Sequence, residues 1–152
     1  MGSEMCIRDR YRGLSDNDVQ SIVLFLRTLP AVKLNPGAST YNIPLPPAYG
    51  PPVGSVTAIN VANTVEYGEY VAGPVAHCME CHTPIGPKGP MIETDLGRGG
   101  FQFHGPWGVS VASNITSHEN GLANYSDEEI VNMIKGTRPD GSRMCLPCRI
   151  NS

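Results

Sequence analysis

Cys78-Met79-Glu80-Cys81-His82 constrains this chain more than any other feature, because it sets two thiols three positions apart with an imidazole directly after the second. On one helical turn the two thiols can add to the two vinyl groups of a porphyrin, and the next residue projects its imidazole to the iron from the same side. One short segment thus supplies the covalent anchors Cys78 and Cys81 and the proximal ligand His82 of a single c-type haem. Two other chemistries use the same residue types. Cys145-Leu146-Pro147-Cys148 repeats the Cys-x-x-Cys spacing, and two such pairs can hold structural zinc. The stretch between Cys81 and Cys145 far exceeds the roughly 15–20 residues usual in compact zinc ribbons. A thioredoxin-like dithiol needs a strand before the motif in a βαβ setting, whereas helix-like and proline-rich text surrounds Cys78.

Charge narrows the partners. The 152 residues carry 11 Lys and Arg against 14 Asp and Glu, for a net charge of −3, and the cations are scattered. Without a basic footprint, nucleic acid is not an expected partner. Gly 17 and Pro 14 lie above ordinary usage but short of a disordered composition, which predicts long ordered loops. No apolar run approaches the ~18 residues that cross a bilayer, so membrane association is expected only through parts of a longer parent chain.

Met1–Arg10 resembles the translation of a sequencing adapter, the alternative being an ordinary disordered terminus; as an adapter it implies that the true start and any signal peptide are missing. Ser15–Leu29 predicts a helix: Ser15 can cap it, Asp16 and Asp18 suit its positive end, Val19, Ile22, Val23 and Leu26 form one stripe, and Pro30 ends it. Residues 31–60, with Asn35-Pro36-Gly37, Pro44-Leu45-Pro46-Pro47 and Gly50-Pro51-Pro52, read as an extended linker with a domain boundary near residue 60. Thr64–Ala72 predicts a short helix whose Gly68 either admits a close helix neighbour or faces solvent. Thr83–Gly121 lacks sustained periodicity and reads as loop wrapped around some object. Ser126-Asp127-Glu128-Glu129 is a capping box before Ile130, Val131, Met133 and Ile134, with Gly136 able to end that helix.

Several further segments carry a resemblance. Gly68-Glu69-Tyr70, the motif with Thr83-Pro84, Gly105-Pro106-Trp107-Gly108, Ser113-Asn114-Ile115-Thr116, Tyr125–Ile130 and Gly136-Thr137-Arg138-Pro139-Asp140-Gly141 together resemble class I cytochrome c domains. They are most similar to those of di- and tri-haem subunits of bacterial membrane-associated dehydrogenases. The resemblance implies an all-α domain over residues 61–152, truncated at its C-terminus, with residues 11–30 as the closing helix of a preceding cytochrome domain. It implies an electron carrier rather than an enzyme, working in the periplasm or on the outer face of the cytoplasmic membrane. Its redox partners would be a dehydrogenase donor and an oxidase or cytochrome acceptor.

The same resemblance assigns roles around the haem. Pro90, in preference to Pro87, offers the carbonyl that orients the other ring nitrogen of His82. Asn114, Ile115 and Thr116 line the pocket, although an ordinary turn before the last helix explains them equally, and Trp107 packs there with its indole N–H toward a propionate. The family places a Met ligand after an Asp-Gly pair and then a further helix. Here Met144 is the only Met left in that loop, either as iron ligand or as a loop residue near the haem edge, and no closing helix follows. His77, His104 and His118 are weaker candidates for a second axial ligand. Ser15–Leu29 is a candidate to dock in cis where the missing helix would meet Gly68 and Tyr70.

Overall fold

The computed structural model describes residues 11–42, 53–87, 89–106 and 108–143. The chain forms two compact units, Met1–His77 and Cys78–Ser152. The helix that starts at Thr64 therefore groups with the N-terminal helix and not with the Cys-x-x-Cys-His segment.

In the first unit a short 3₁₀ turn, Tyr11–Gly13, leads to helix α1, Asp16–Thr28. Ser15 caps it in extended conformation, its Oγ accepting the Asp18 amide, and Leu29 closes it before Pro30. The N-terminal turn of α1 is stitched to the returning chain. The Asp16 amide donates to the Val56 carbonyl, the Val56 amide donates back to Asp16 Oδ1, and the Ser55 hydroxyl reaches the same carboxylate. These bonds hold the Asp16 carboxyl below the usual carboxylate range, the Ser55 hydroxyl contributing most. The described parts of the linker, 31–42 and 53–60, carry neither helix nor strand.

Helix α2, Thr64–Tyr70, continues as a π-helical turn over Val71–Val75. Pro74 explains the widening: it has no N–H to return to the preceding turn, and Ala76 bonds five residues back to Val71 at 2.8 Å. Gly13 lies under the proline ring, where an added Cβ would stand 2.6 Å from Pro74 Cγ. Leu14, Ser15 and Tyr70 are the buried residues of this unit among those described. The contact between α1 and α2 runs through Tyr70, whereas a Cβ at Gly68 would meet nothing within 4 Å, so that glycine admits no close neighbour.

The second unit corrects the all-α expectation. Among the described residues 36% are helical and 12% strand, with two small antiparallel sheets, so the fold is mixed α/β. Helix α3, Cys78–Cys81, is one turn. Strands β1, Ile85–Gly86, and β2, Gly89–Pro90, pair antiparallel. After the short helix α4, Ile92–Asp95, strands β3, Gln102–Gly105, and β4, Gly108–Val111, form a hairpin with Gln102 opposite Val111 and Gly105 opposite Gly108. Phe101, Phe103, Val109 and Val111 recur with a period of two about a Gly-Pro turn, which is strand patterning. The many glycines and prolines of this segment hid that pattern, because they punctuate turns of hairpins as well as loops.

Helix α5, Asp127–Ile134, opens on the expected capping box: Ser126 Oγ accepts the Glu129 amide, and Glu129 Oε2 accepts the Ser126 amide at 2.8 Å. Those bonds from Ser126 hold the Glu129 carboxyl below its ordinary range. Ser126→Ala removes the hydroxyl half of the box and lowers the stability of this helix by about 1 kcal/mol, seen as faster amide exchange over residues 128–131. Burial in the second unit is almost wholly polar or backbone. Thr83 is fully buried, with Gly97 and Gly99 beside it in the buried class. No apolar side chain among the described residues of this unit reaches that class, and Ile85, Leu96, Val109, Val111 and Ile134 stay exposed.

Candidate functional site

The residue before the motif sets its entry. His77 has φ 56, a left-handed conformation uncommon outside glycine, and its ring packs edge-to-face on Tyr11 with centroids 4.6 Å apart. A contact of that kind, at the end of the π-helical turn, offsets the backbone cost at the peptide that leads into Cys78. His77 is thereby committed to a structural role in the first unit.

Cys78 and Cys81 then lie at the two ends of α3 as free thiols, the first half-buried and the second exposed. His82 follows with its amide bonded to the Cys78 carbonyl at 3.0 Å, so it still belongs to the turn that carries both sulfurs. Two further backbone bonds hold this histidine. Its carbonyl accepts the Gly99 amide at 2.7 Å, and its Nδ1 lies 2.7 Å from the carbonyl oxygen of Ser113. A carbonyl can only accept, so Nδ1 is the donor of this bond, and in the neutral ring Nε2 is then the nitrogen with the free lone pair. The side chain is thus set in the tautomer that binds a metal through Nε2.

The partner at Nδ1 differs from the one expected. Pro90 is exposed in β2, paired with Ile85, and Pro87 is also exposed, while Ser113, thirty-one positions beyond His82, supplies the carbonyl. Asn114, Ile115 and Thr116 do come to the motif. The Ile115 amide bonds to the Gly97 carbonyl at 2.8 Å, and the Gly97 amide bonds to the buried Thr83 Oγ1 at 3.2 Å. A Cβ placed on Gly97 would stand 3.4 Å from both Ile115 Cγ1 and Thr116 Cγ2 and 3.8 Å from Met79 Sδ. Asn114 Oδ1 accepts from the Thr116 amide at 2.8 Å and from its hydroxyl at 2.7 Å, closing the turn on itself. Gly121 backs that turn so tightly that a Cβ there would fall 2.4 Å from the Thr116 carbonyl oxygen.

The remaining expected residues divide by place. His104 is exposed on β3, and His118 Nδ1 accepts the Asn120 amide at 3.1 Å in a surface turn. Trp107, Met144, Cys145 and Cys148 lie outside the described residues. Among the described residues, no group of three or more His, Cys, Asp or Glu side chains gathers as a metal cage. No described helix is long and apolar enough to cross a membrane.

Sequence reasoning missed Ser113, Gly97 and Gly99 as parts of this site. Gly97-Arg98-Gly99-Gly100 was the available signal, since three glycines in four residues mark a backbone that something approaches closely. No protein-family model matches this chain, and no curated protein or solved structure matches it significantly.

Proposed function

We propose that the domain over residues 61–152 holds one c-type haem, joined by thioethers to Cys78 and Cys81 with His82 Nε2 toward the iron, and that the protein is an electron carrier. The observation that carries this reading is the 2.7 Å bond between His82 Nδ1 and the Ser113 carbonyl, which occupies Nδ1 and leaves Nε2 as the nitrogen open to a metal on the residue that directly follows the two thiols. Bound there, haem supplies a reversible one-electron couple at iron.

The chain's own residues do the rest. The Ser113 carbonyl fixes the plane and tautomer of the imidazole and makes Nε2 a stronger donor. The hydrogen-bonded set Thr83, Gly97 and Ile115 keeps the Asn114–Thr116 turn against the motif. Apolar side chains of the second unit that remain exposed, among them Ile85, Leu96, Val109 and Val111, suit a large apolar group as their cover. Met144 would either hold the iron as a second ligand or lie near the haem edge as a loop residue. A dehydrogenase as donor and an oxidase or second cytochrome as acceptor, outside the cytoplasmic membrane, follow from the resemblance in the quoted motifs.

A pyridine haemochrome spectrum after co-expression with a cytochrome c maturation system tests this reading, together with a haem stain on a denaturing gel. The expected result is a c-type spectrum with haem retained after denaturation. A sulfur-to-iron charge-transfer band in the oxidised protein that Met144→Ala abolishes assigns Met144, and a band that survives this substitution, or no band at all, removes Met144 from the ligand set. A chain that leaves maturation with free thiols and no haem overturns the proposal.

A further inference from the structure

We infer that Gly99 is a positioning residue for His82, holding the histidine backbone with its own amide and, by having no side chain, letting the Ser113 carbonyl reach the imidazole. The importance of that placement for electron transfer rests on the haem reading above, but the clamp itself does not.

Segments 97–100 and 112–115 lie side by side. The Gly100 amide bonds to the Ala112 carbonyl and the Ile115 amide to the Gly97 carbonyl, each at 2.8 Å, so Ser113 is bracketed by bonds on both sides. Gly99 sits opposite it with φ +80, and its amide reaches the His82 carbonyl at 2.7 Å. A Cβ at Gly99 would stand 2.5 Å from the Ser113 carbonyl carbon and 2.6 Å from the Ser113 and Ala112 carbonyl oxygens. All three atoms are backbone, so none can rotate aside. Relief requires the Ser113 carbonyl to move by on the order of 1 Å, enough to turn a hydrogen bond of ordinary length into a separation that no longer counts as one. Gly99 therefore sets which nitrogen of His82 carries the proton, although its own atoms never meet the ring.

Gly100 supplies the control. It has the same left-handed backbone, φ +88, yet a Cβ there would meet nothing within 4 Å. Ala at Gly99 and Ala at Gly100 thus share the conformational cost and differ in the collision. Ser113→Ala is the second control, because the partner of His82 is a backbone carbonyl that the substitution keeps.

The test is a long-range proton–nitrogen correlation spectrum of the full chain, which reads the tautomer of His82 without any haem. The Nδ1–H pattern is expected in the parent, in Gly100→Ala and in Ser113→Ala, and its loss in Gly99→Ala. In haem-loaded protein the same Gly99→Ala change is expected to raise the reduction potential, since the imidazole loses the bond that strengthens it as a donor. If Gly99→Ala keeps the Nδ1–H pattern, or if Gly100→Ala loses it equally, the inference fails. Should Gly99→Ala not fold, hydrogen exchange in the parent decides: a Gly99 amide that exchanges as fast as an exposed one overturns the clamp. A chain with the Nδ1–H pattern but no haem after maturation would sink the proposed function and leave the clamp standing.

Discussion

Serine at both Cys78 and Cys81 is expected to abolish haem staining on a denaturing gel after maturation, whereas serine at both Cys145 and Cys148 leaves the stain at its parental strength. The reasoning is bond counting. Thioethers survive denaturation, while an imidazole–iron bond does not, so only the two thiols of α3 decide what remains attached. Either single serine variant keeps one possible thioether and is expected to stain, more weakly than the parent. The two double variants also separate the competing chemistries of the cysteines. A zinc module would lose its metal with either pair removed. Parental staining in the Cys78→Ser, Cys81→Ser double variant, or loss of stain in the Cys145→Ser, Cys148→Ser variant, would refute the assignment of the anchors.

Tyr70→Phe is expected to loosen the first unit by about 1–3 kcal/mol, because it strands a buried donor. The Ser15 amide, on a residue only 1% exposed, donates to Tyr70 Oη at 3.0 Å, and the phenol O–H donates a hydrogen bond to Asp18 Oδ2. Phenylalanine keeps the ring and removes both bonds. The opening free energy lost corresponds to amide exchange in the first turns of α1 that is on the order of ten- to a hundredfold faster. An acid limb accompanies it. Asp18 is held below the usual carboxylate range by the Tyr70 hydroxyl first and the Ser15 hydroxyl second. A lowered carboxyl contributes stability that is present above its unfolded pKa and is lost as pH falls through the folded one. Exchange over Asp18–Ile22 in the parent should therefore accelerate as pH drops through and below the ordinary carboxylate range, after correction for intrinsic rates. Tyr70→Phe should flatten that dependence, and unchanged profiles in the variant would show that Tyr70 does not carry the contact.

The parts of this protein legible in the sequence are those that depend on neighbours a few positions apart. Ser15 with Asp18 and Ser126 with Glu129 are caps that span three residues, and both helices start at the residue after their cap. Docking of α1 at Tyr70 was also open to inference, because the quoted Gly68-Glu69-Tyr70 segment needed some neighbour; the tyrosine has one and the glycine does not. What escaped depends on residues far apart or on ambiguous punctuation. The Ser113 carbonyl meets His82 across 31 positions of chain, and nothing in either residue type announces the meeting. The hairpin of β3 and β4 carried its alternation in plain view, but its turn glycines and proline read equally as coil. The helix expected over Thr64–Ala72 runs on instead as a π-helical turn to Val75, through Pro74.

The near absence of buried apolar side chains among the described residues of the second unit has a calorimetric consequence. Heat capacity rises on unfolding mainly because apolar surface meets water, and Ile85, Leu96, Val109 and Val111, each about half exposed, meet part of it already. The stability curve of this unit is accordingly expected to be flatter than that of a unit with a fully buried apolar core. Its backbone bonds give it shape, and a group that covered Ile85, Leu96, Val109 and Val111 would sharpen its melting transition.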